Sequence, residues 1–362
     1  MRHRFGDIID IVRISGLKGL GHLVAHSRHV KRYARPFAVM NSILALEKCD
    51  LNGPLLSKAG LGIATQQNLD PSTLSTICEY LYETGILARA SPGVYKAKQR
   101  RQFEFLLQAM YACYAYHQPA HAMDRLLTKE YRYGRDVVRD DQYDALASAA
   151  LTSMFSYGFS HRVLKTVGAR SVLDLGCGTG QYLAYLRQHG FPGSLYGVDV
   201  SEQAISHGQQ EGFEADTVRL LIGDIFDIPA IAARIPAPSL DVISFMFVLH
   251  EFEDEQVQRI LKAIKDIYRH PRILLTELIA RSSEEVRTAR RSLFPELKFV
   301  HQLSRQILRT PVQWKRLFAA SGFCPVVEMA NDLTQHVCLL FSPESDFKPG
   351  TVGRHTPPRS DT

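Results

Sequence analysis

The sequence has no paired cysteines and no long apolar segment. Its six cysteines are scattered singly over 362 residues, and none forms a Cys-x-x-Cys pair. This spacing excludes a zinc knuckle and a thioredoxin-like motif, and it fits a reducing compartment. No stretch reaches the ~20 apolar residues of a membrane helix, and charges at Asp7, Asp10 and Arg13 interrupt the run after the basic start. We therefore predict a cytoplasmic protein with no membrane segment and no cleaved signal peptide.

A dense basic block is also missing. Lys and Arg number 43 against 37 Asp and Glu, giving a formal charge of +6 that is spread along the chain. Nucleic-acid binding is permitted by this balance but not implied by it. The length exceeds what one hydrophobic core usually serves, so we expect two domains.

Residues 1–34 are predicted to form a helical arm. The favoured interpretation is an arm that packs on a partner subunit, and a membrane-surface helix is the alternative. The prediction depends on apolar residues at nearly helical spacing, which are Ile8, Ile9, Ile11, Val12, Ile14, Leu17 and Leu20.

Residues 35–100 have the pattern of a winged helix. Asp70 followed by proline marks a helix start, Gly85 marks its end, and a predicted β-hairpin follows. The would-be recognition helix carries Glu79 and Glu83 but no Lys or Arg, which makes it a poor surface for phosphates. We therefore predict a dimerisation or substrate-lid domain rather than a DNA-binding one.

Three further segments complete the predicted organisation. Residues 101–160 are an aromatic-rich helical connector, 161–342 a catalytic domain, and 343–362 a disordered tail rich in proline and polar residues.

The strongest motif is an apolar strand that ends in a glycine-rich turn and continues as a helix. The strand carries Asp174, and the turn contains Gly176, Cys177, Gly178 and Gly180. Glycines allow a backbone to approach a ligand closely, and the helix start offers unpaired N–H groups. Alone, such a loop is a weak signal.

Three more strands follow at suitable distances. Asp199 ends the first of them, nineteen positions after Gly180 (199 minus 180), where a carboxylate can accept hydrogen bonds from two ribose hydroxyls. The other candidate cofactor contacts in these strands are Val200, Gly223, Asp224, Ile225 and Phe245.

The four motifs VLDLGCGTG, GVDVS, GDIFDIP and DVISFMFVLHEF, in this order, resemble those of class I S-adenosylmethionine (SAM)-dependent methyltransferases. The resemblance implies an α/β, Rossmann-like catalytic domain behind the helical and winged-helix region, with SAM as cofactor. It places Asp174 and the Gly176–Gly180 backbone at the methionine part, Asp199 at the ribose and Asp224 at the adenine amino group. The alternatives are a strand-end acid for Asp174 and a turn former for Asp224.

The segment from Arg309 to Phe323 resembles the end of the small-molecule methyltransferases, which have a dimerising winged helix at the N-terminus. This resemblance covers residues 35–342. It implies a small-molecule substrate, a homodimer, and neither a nucleic-acid nor a membrane partner.

His250 and Glu251 follow the fourth strand, where ligands of open α/β sheets bind. In the similar plant-type O-methyltransferases the matching histidine is a general base that takes the proton of a phenol. The alternative is that His250 caps the helix that begins near Asp254.

A second histidine, His301, lies before the Arg309 turn, and this spacing resembles iron-containing C-methyltransferases of 2-oxo acids such as phenylpyruvate. That resemblance implies an iron ion held by His250 and His301, which acidifies the β-carbon of a chelated 2-oxo acid. It also implies that Arg139 meets the substrate acid, while Glu251 stands where the family has Asp. The alternative for His301 is a surface helix residue.

We therefore take C-methylation of a 2-oxo acid, with His250, Glu251 and Arg139 as catalytic residues, as the leading hypothesis. Metal-independent O-methylation of a hydroxylated small molecule, with His250 as base, is the alternative. A winged-helix regulator that binds SAM as a signal is a third and more remote one.

Overall fold

The computed structural model describes residues 2–66, 68–210, 218–235, 240–268, 270–288, 294–331, 336–346 and 353–354. The chain forms two compact units, Met1–Met110 and Tyr111–Thr362. The division between them falls inside the predicted connector, so the five-segment organisation stays a prediction. In the described part of the chain, no helix is both long and apolar enough to cross a membrane.

The first unit combines helices with a small antiparallel sheet of order β1-β3-β2. Its first helix is broken at Gly16, whose φ of 68° suits glycine. The last helix continues into the second unit. The elements are α1 (Arg2–His29), α2 (Arg35–Lys48), α3 (Asn52–Leu56), β1 (Leu61–Gly62), α4 (Pro71–Glu83), β2 (Leu87–Ser91), β3 (Val94–Ala97) and α5 (Arg100–Ala115).

Helix α4 begins where the sequence indicates. The Asp70 side chain accepts a hydrogen bond from the backbone N–H of Thr73 at 2.7 Å, which satisfies one of the free amides of the first turn. Further along the helix, Glu79 bonds Arg89 of β2 and the Tyr95 hydroxyl of β3. The helix is thus tied to the hairpin through an acidic side chain and presents no basic group to a phosphate.

The second unit alternates strands and helices. Helix α8 has Asp140 as N-cap, and α15 has a capping box formed by Thr310 and Gln313. The elements are α6 (His117–His121), α7 (Met123–Leu127), α8 (Asp141–Thr166), β4 (Ser171–Leu175), α9 (Gln181–Gln188), β5 (Ser194–Asp199), α10 (Glu202–Gln210), β6 (Val218–Ile222), α11 (Ile228–Arg234), β7 (Val242–Met246), α12 (Asp254–Ile267), β8 (Arg272–Leu278), α13 (Ser283–Thr288), α14 (Phe294–Leu303), α15 (Pro311–Ala320), β9 (Phe323–Asn331), β10 (His336–Pro343) and β11 (Gly353–Arg354).

The sheet of this unit has the order β11-β9-β10-β8-β7-β4-β5-β6. Strands β6, β5, β4, β7 and β8 run parallel, whereas β10 is antiparallel to both of its neighbours. The central strands are buried on both faces, which explains their continuous apolar sequences. The strand order reverses at β4, which lies between β5 and β7. In open α/β sheets, ligands bind at this reversal, beyond the carboxyl ends of the strands.

The predicted disordered tail, 343–362, lies mostly outside the described residues. Within it, Glu344–Asp346 forms a short 3-10 turn, and Gly353–Arg354 pairs with β9 in parallel.

Candidate active site

The glycine loop between β4 and α9 requires glycine for steric reasons. The Gly176 N–H donates a hydrogen bond to the Val198 carbonyl at 2.8 Å. The backbone φ of Gly176 is 78°. A Cβ at Gly176 would lie 2.5 Å from a methyl group of Val248, just after β7. The Gly178 N–H donates to Oδ2 of Asp199 at 2.8 Å. The loop is therefore held against the ends of both β5 and β7.

Cys177 and Gly180 form the closing turn of this loop. The Gly180 N–H donates to the Cys177 carbonyl at 2.9 Å, and Gly180 precedes α9 with a φ of 79°. The free amides of the first turn of α9 follow directly.

Asp174 lies beneath the loop and is almost fully buried. Its Oδ1 accepts a hydrogen bond from the Ser244 hydroxyl at 2.6 Å, while Oδ2 has no partner among the described residues. Burial, opposed by the Ser244 hydrogen bond, raises the pKa of Asp174 to about 7. An unpaired buried oxygen of this kind is costly unless a ligand supplies its partner.

The other two acids end neighbouring strands. The remaining oxygen of Asp199, Oδ1, accepts from the Ser201 N–H at 2.9 Å. Asp224 follows β6, is exposed, and accepts from the Phe226 N–H at 2.9 Å, as a turn former does. Of the predicted contacts beside them, Val200 is exposed, Gly223 half-buried and Ile225 buried.

The structure places Phe245 differently from the prediction. Its side chain is fully buried in the hydrophobic core, because side chains alternate along β7 and that of Ser244 points toward Asp174. The half-exposed residues at this strand end are Met246 and Phe247, and Phe247 has an unusual φ of 59° for a non-glycine residue. The side chain of Phe245 is therefore withdrawn as a cofactor contact.

These features fit SAM. The glycine loop leaves room for a ligand. The unpaired oxygen of Asp174 suits the positively charged amino acid portion of SAM. Asp199 uses only two of its carboxylate lone pairs and can still accept from hydroxyls.

His250 lies in a turn after β7 and is held by a buried carboxylate. Its ring Nδ1 donates to Oε2 of Glu277 at 2.7 Å, and its backbone N–H donates to Oε1 of the same side chain at 3.2 Å. Burial disfavours the charged ring, but the carboxylates of Glu277 and Glu251 outweigh it and raise the pKa of His250 to about 10. This bonding leaves Nε2 on the opposite side of the ring, with Glu251 Oε1 at 3.6 Å.

Glu251 connects His250 to a charged cluster. Oε1 of Glu251 accepts from Arg139 Nη1 and from Gln306 Nε2, both at 2.5 Å. Despite burial, His250 and Arg139 hold the pKa of Glu251 well below its usual value. Nε of Arg139 also lies 3.2 Å from Asp141 and 3.3 Å from Asp144. The guanidinium of Arg139 thus already has three carboxylate partners.

His301, on α14, is brought next to His250. The ring centroids are 5.2 Å apart at an interplanar angle of 63°. Its Nδ1 donates to the Leu297 carbonyl one turn back, at 2.7 Å. Burial, together with the neighbouring charge of His250, lowers the pKa of His301 to about 4, so this ring is neutral. His301 is 8% exposed, in contrast to the alternative of a surface helix residue.

The residues do not fit the predicted iron ion. The described residues contain no group of three or more His, Cys, Asp or Glu side chains that could hold a metal. The third candidate beside the two histidines, Glu251, is already bonded to Arg139 and Gln306. A fixed guanidinium at that carboxylate also repels a cation. The two-histidine iron site therefore finds no support.

Arg309 holds the turn that carries His250. Its guanidinium is buried and donates to the Phe252 carbonyl and to Asp254, at 2.7 and 2.8 Å. The Ile307 N–H donates to the carbonyl of His250 at 2.7 Å. The segment after α14 therefore fixes His250 from the backbone side.

Sequence reasoning missed Glu277 and Gln306. Glu277 is the only charged residue inside the apolar part of β8, and a lone acid in a fully buried strand is a signal that could have revealed it. Gln306 gives no comparable signal, because its role depends on the path of the segment after α14.

Comparisons with known proteins agree with this geometry. Residues 172–270 match the family model described as a methyltransferase domain. A curated relative, 8-hydroxyquercetin 8-O-methyltransferase of Mentha piperita, is 26% identical over 198 residues, which cover 51% of this chain and 50% of the relative. The chain thus spans about half the length of this relative.

Two solved structures are similar over most of the chain. Human N-acetylserotonin methyltransferase in complex with SAM has a TM-score of 0.63 at 16% identity, covering 88% of this chain and 97% of that one. Mitomycin 7-O-methyltransferase has a TM-score of 0.57 at 15% identity, covering 91% and 99%. The matched proteins are methyltransferases, and the chain has the predicted α/β, Rossmann-like methyltransferase fold with a mixed sheet.

Proposed function

We propose that the protein is a SAM-dependent O-methyltransferase of a hydroxylated small molecule, with His250 as general base. The observation that carries the proposal is the hydrogen bond between His250, just after β7, and Glu277 of β8. The carboxylate fixes the ring through Nδ1, so that Nε2 is the atom that accepts the substrate proton. Val248, two residues earlier, packs against Gly176 of the cofactor loop. The base therefore lies close to the loop that would hold SAM.

The chemistry balances without a metal. SAM, when bound, would supply a methyl group on a positively charged sulfur, and the sulfur would keep the electron pair of the broken S–C bond. His250 takes the hydroxyl proton, and the substrate oxygen forms the new bond to carbon. Glu277 stabilises the imidazolium that results.

Arg139 has a positioning role in this proposal. Its Nε and Nη1 already contact the three carboxylates of Asp141, Asp144 and Glu251, in contrast to the substrate-binding role implied by the 2-oxo acid resemblance. It holds Glu251 beside His250 instead.

The comparisons favour O-methylation over C-methylation of a 2-oxo acid. Both 8-hydroxyquercetin 8-O-methyltransferase and mitomycin 7-O-methyltransferase carry O-methylation in their names. We also propose that the first unit is a winged-helix-type dimerisation domain.

The test is methyl transfer from SAM to a panel of phenols and to phenylpyruvate, with and without a chelator. We expect O-methylated phenols, identified by mass and NMR, and no effect of the chelator. C-methylated phenylpyruvate formed by a chelator-sensitive enzyme would overturn the proposal in favour of the iron mechanism.

A further inference from the structure

The excess of positive charge in the chain is concentrated near its start. Residues 1–46 contain eight Lys and Arg but only two Asp, and no acidic residue occurs between Asp10 and Glu47. The remaining 316 residues carry 35 charges of each sign (43 minus 8 and 37 minus 2), so they are balanced. Lys and Arg are spread along the chain, as the composition indicates, but their excess over acids belongs to this one segment.

After the break at Gly16, the segment is a continuous helix. A π-helical turn, Val30–Ala34, connects α1 to α2, and the Arg35 N–H donates to the Val30 carbonyl across it. Side chains four residues apart are neighbours on such a helix. The rings of His29 and Tyr33 show this directly, because they stack with centroids 6.0 Å apart.

Four cations share one side of this helix. The four-residue spacing places Arg28 beside Arg32 and Lys31 beside Arg35. All four are exposed, and none of them forms an ion pair with a carboxylate in the described part of the chain. Cations held this close without a counter-charge repel one another and attract an anionic partner.

Exposed apolar side chains continue the same side toward the N-terminus. Val24 lies one turn before Arg28, and Leu23 lies two turns before Lys31. Val24 and Leu23 are 45% and 50% exposed. The row of rings that contains Tyr33 lies on another side of the helix. We call the surface formed by Leu23, Val24 and the four cations the basic helix side.

Three partners can be compared by their chemistry. A second copy of the chain would bring the same positive charges, so two basic helix sides repel each other. A nucleic acid would neutralise the cations but leave Leu23 and Val24 in water. An anionic bilayer satisfies both parts of the surface, because its phosphates pair with the cations and its acyl chains begin just below the headgroups.

We propose that the basic helix side binds the anionic surface of a phospholipid membrane. The four cations lie on the lipid phosphates, and Leu23 and Val24 lie between the headgroups. The helix rests on the membrane and does not cross it. This interaction goes beyond the small-molecule methyltransferase resemblance, which implies no membrane partner, and it does not depend on the proposed reaction.

The experiment measures sedimentation of the full chain with vesicles of phosphatidylcholine alone or mixed with phosphatidylglycerol. We expect binding only to the anionic vesicles, and weaker binding as salt is added. Each cation near an anionic surface contributes about five-fold to partitioning at low salt. The partition coefficient should therefore fall at least ~100-fold in the neutralised variant, which combines Arg28→Gln, Lys31→Gln, Arg32→Gln and Arg35→Gln.

Two variants serve as controls. The first loses the same number of charges at exposed positions outside this helix and should bind like wild type; it combines Lys58→Gln, Lys96→Gln, Arg162→Gln and Lys262→Gln. The second keeps the charge of the basic helix side by changing its three arginines to lysine, and it should also bind. Thermal unfolding checks that each variant folds. If the neutralised variant does not fold, the pair Arg28→Gln and Arg32→Gln replaces it, with an expected loss of at least ~10-fold.

Other results would overturn the proposal. Equal binding to uncharged and anionic vesicles, or undiminished binding by the neutralised variant, would exclude the basic helix side as the contact. An equal loss in the first control would show that net charge alone matters. Binding to polyuridylate or duplex DNA without binding to vesicles would replace the membrane by a nucleic acid, and binding to none of these would remove the anionic partner altogether.

Discussion

Two carboxylates flank His250 and determine whether its ring is protonated before substrate binds. Glu277 and Glu251 raise the pKa of His250 to about 10, so the ring is protonated at neutral pH before substrate binds. A base must lose this proton before it can accept another. Its pKa is then close to that of a phenol, ~10, which makes the proton transfer nearly neutral in energy.

We therefore expect kcat/KM to rise about ten-fold per pH unit from pH 7 toward pH 10. In Glu277→Gln the pKa of His250 falls, because a carboxylate is lost. The rise in kcat/KM should therefore begin at a lower pH and reach a lower plateau. A matched control is Glu328→Gln, whose carboxylate pairs with Lys315 in a half-buried pair away from His250. A pH profile identical in wild type and Glu277→Gln would contradict the assignment.

Asp174 should link SAM binding to pH. Its raised pKa of about 7 means that the carboxylate is partly protonated at neutral pH without cofactor, whereas a cationic ligand favours the ionised form. SAM affinity measured by calorimetry should increase between pH 6 and 8. Asp174→Asn should bind SAM more weakly and without this pH dependence, while Asp346→Asn, beside His270 near the start of β8, should behave as wild type.

The same residue should affect stability in the opposite direction. Because the folded pKa of Asp174 lies above its unfolded value, the unfolded chain ionises first, and stability is lost as pH rises from about 4 to 7. The cofactor-free Asp174→Asn variant should therefore melt at a higher temperature than wild type at pH 7.5. An unchanged or lower Tm would contradict the raised pKa.

At the scale of elements, the glycine loop joins three strand ends. Gly176→Ala adds a Cβ that meets Val248 at 2.5 Å, at a backbone φ of 78° that side chains rarely adopt. We expect SAM affinity to fall at least ten-fold, measured by titration. Gly158→Ala in α8, where a Cβ meets only ordinary contacts, should bind SAM normally. Unchanged SAM binding in Gly176→Ala would count against the glycine loop as the SAM-binding site.

The sequence predicted those parts of the site whose residues are close together in the chain. Asp174 and the loop glycines form one motif, and Asp199 follows at a spacing set by one helix. The bond of His250 to Glu277 spans 27 residues and exists because β7 and β8 pair in parallel. No local pattern encodes that register.

Two other features depend on the tertiary structure in the same way. The contact between Arg139 and Glu251 spans 112 positions in the chain. It gives Arg139 a role that the resemblance did not imply. The burial of Phe245 depends on which face of β7 points to the core, and a continuous apolar run does not reveal this.

At the scale of the whole molecule, the first unit exposes apolar residues along its first helices. Ile14 and Leu17 are 84% and 76% exposed, and Tyr33 and Phe37 are also exposed. Exposed apolar side chains of this kind are typical of an interface, and a second copy of the chain is the partner that we propose. The homodimer that the sequence resemblance implies stays a prediction.

We expect wild type to be a dimer by light scattering and Leu17→Glu to shift it toward the monomer, because a buried unpaired charge destabilises an interface. Lys18→Glu, next to it in the same helix and also exposed, is the control for added negative charge. A wild-type monomer, or an unaffected dimer in Leu17→Glu, would exclude this surface as the interface.

The most direct test of the proposed function is the activity of His250→Gln on a phenol that the wild type methylates, measured together with SAM affinity. We predict that the turnover rate falls by about two to four orders of magnitude, the usual contribution of a general base, while SAM affinity stays unchanged. Near-normal activity in a variant that binds SAM would contradict the role of His250 and leave the enzyme without its proposed base.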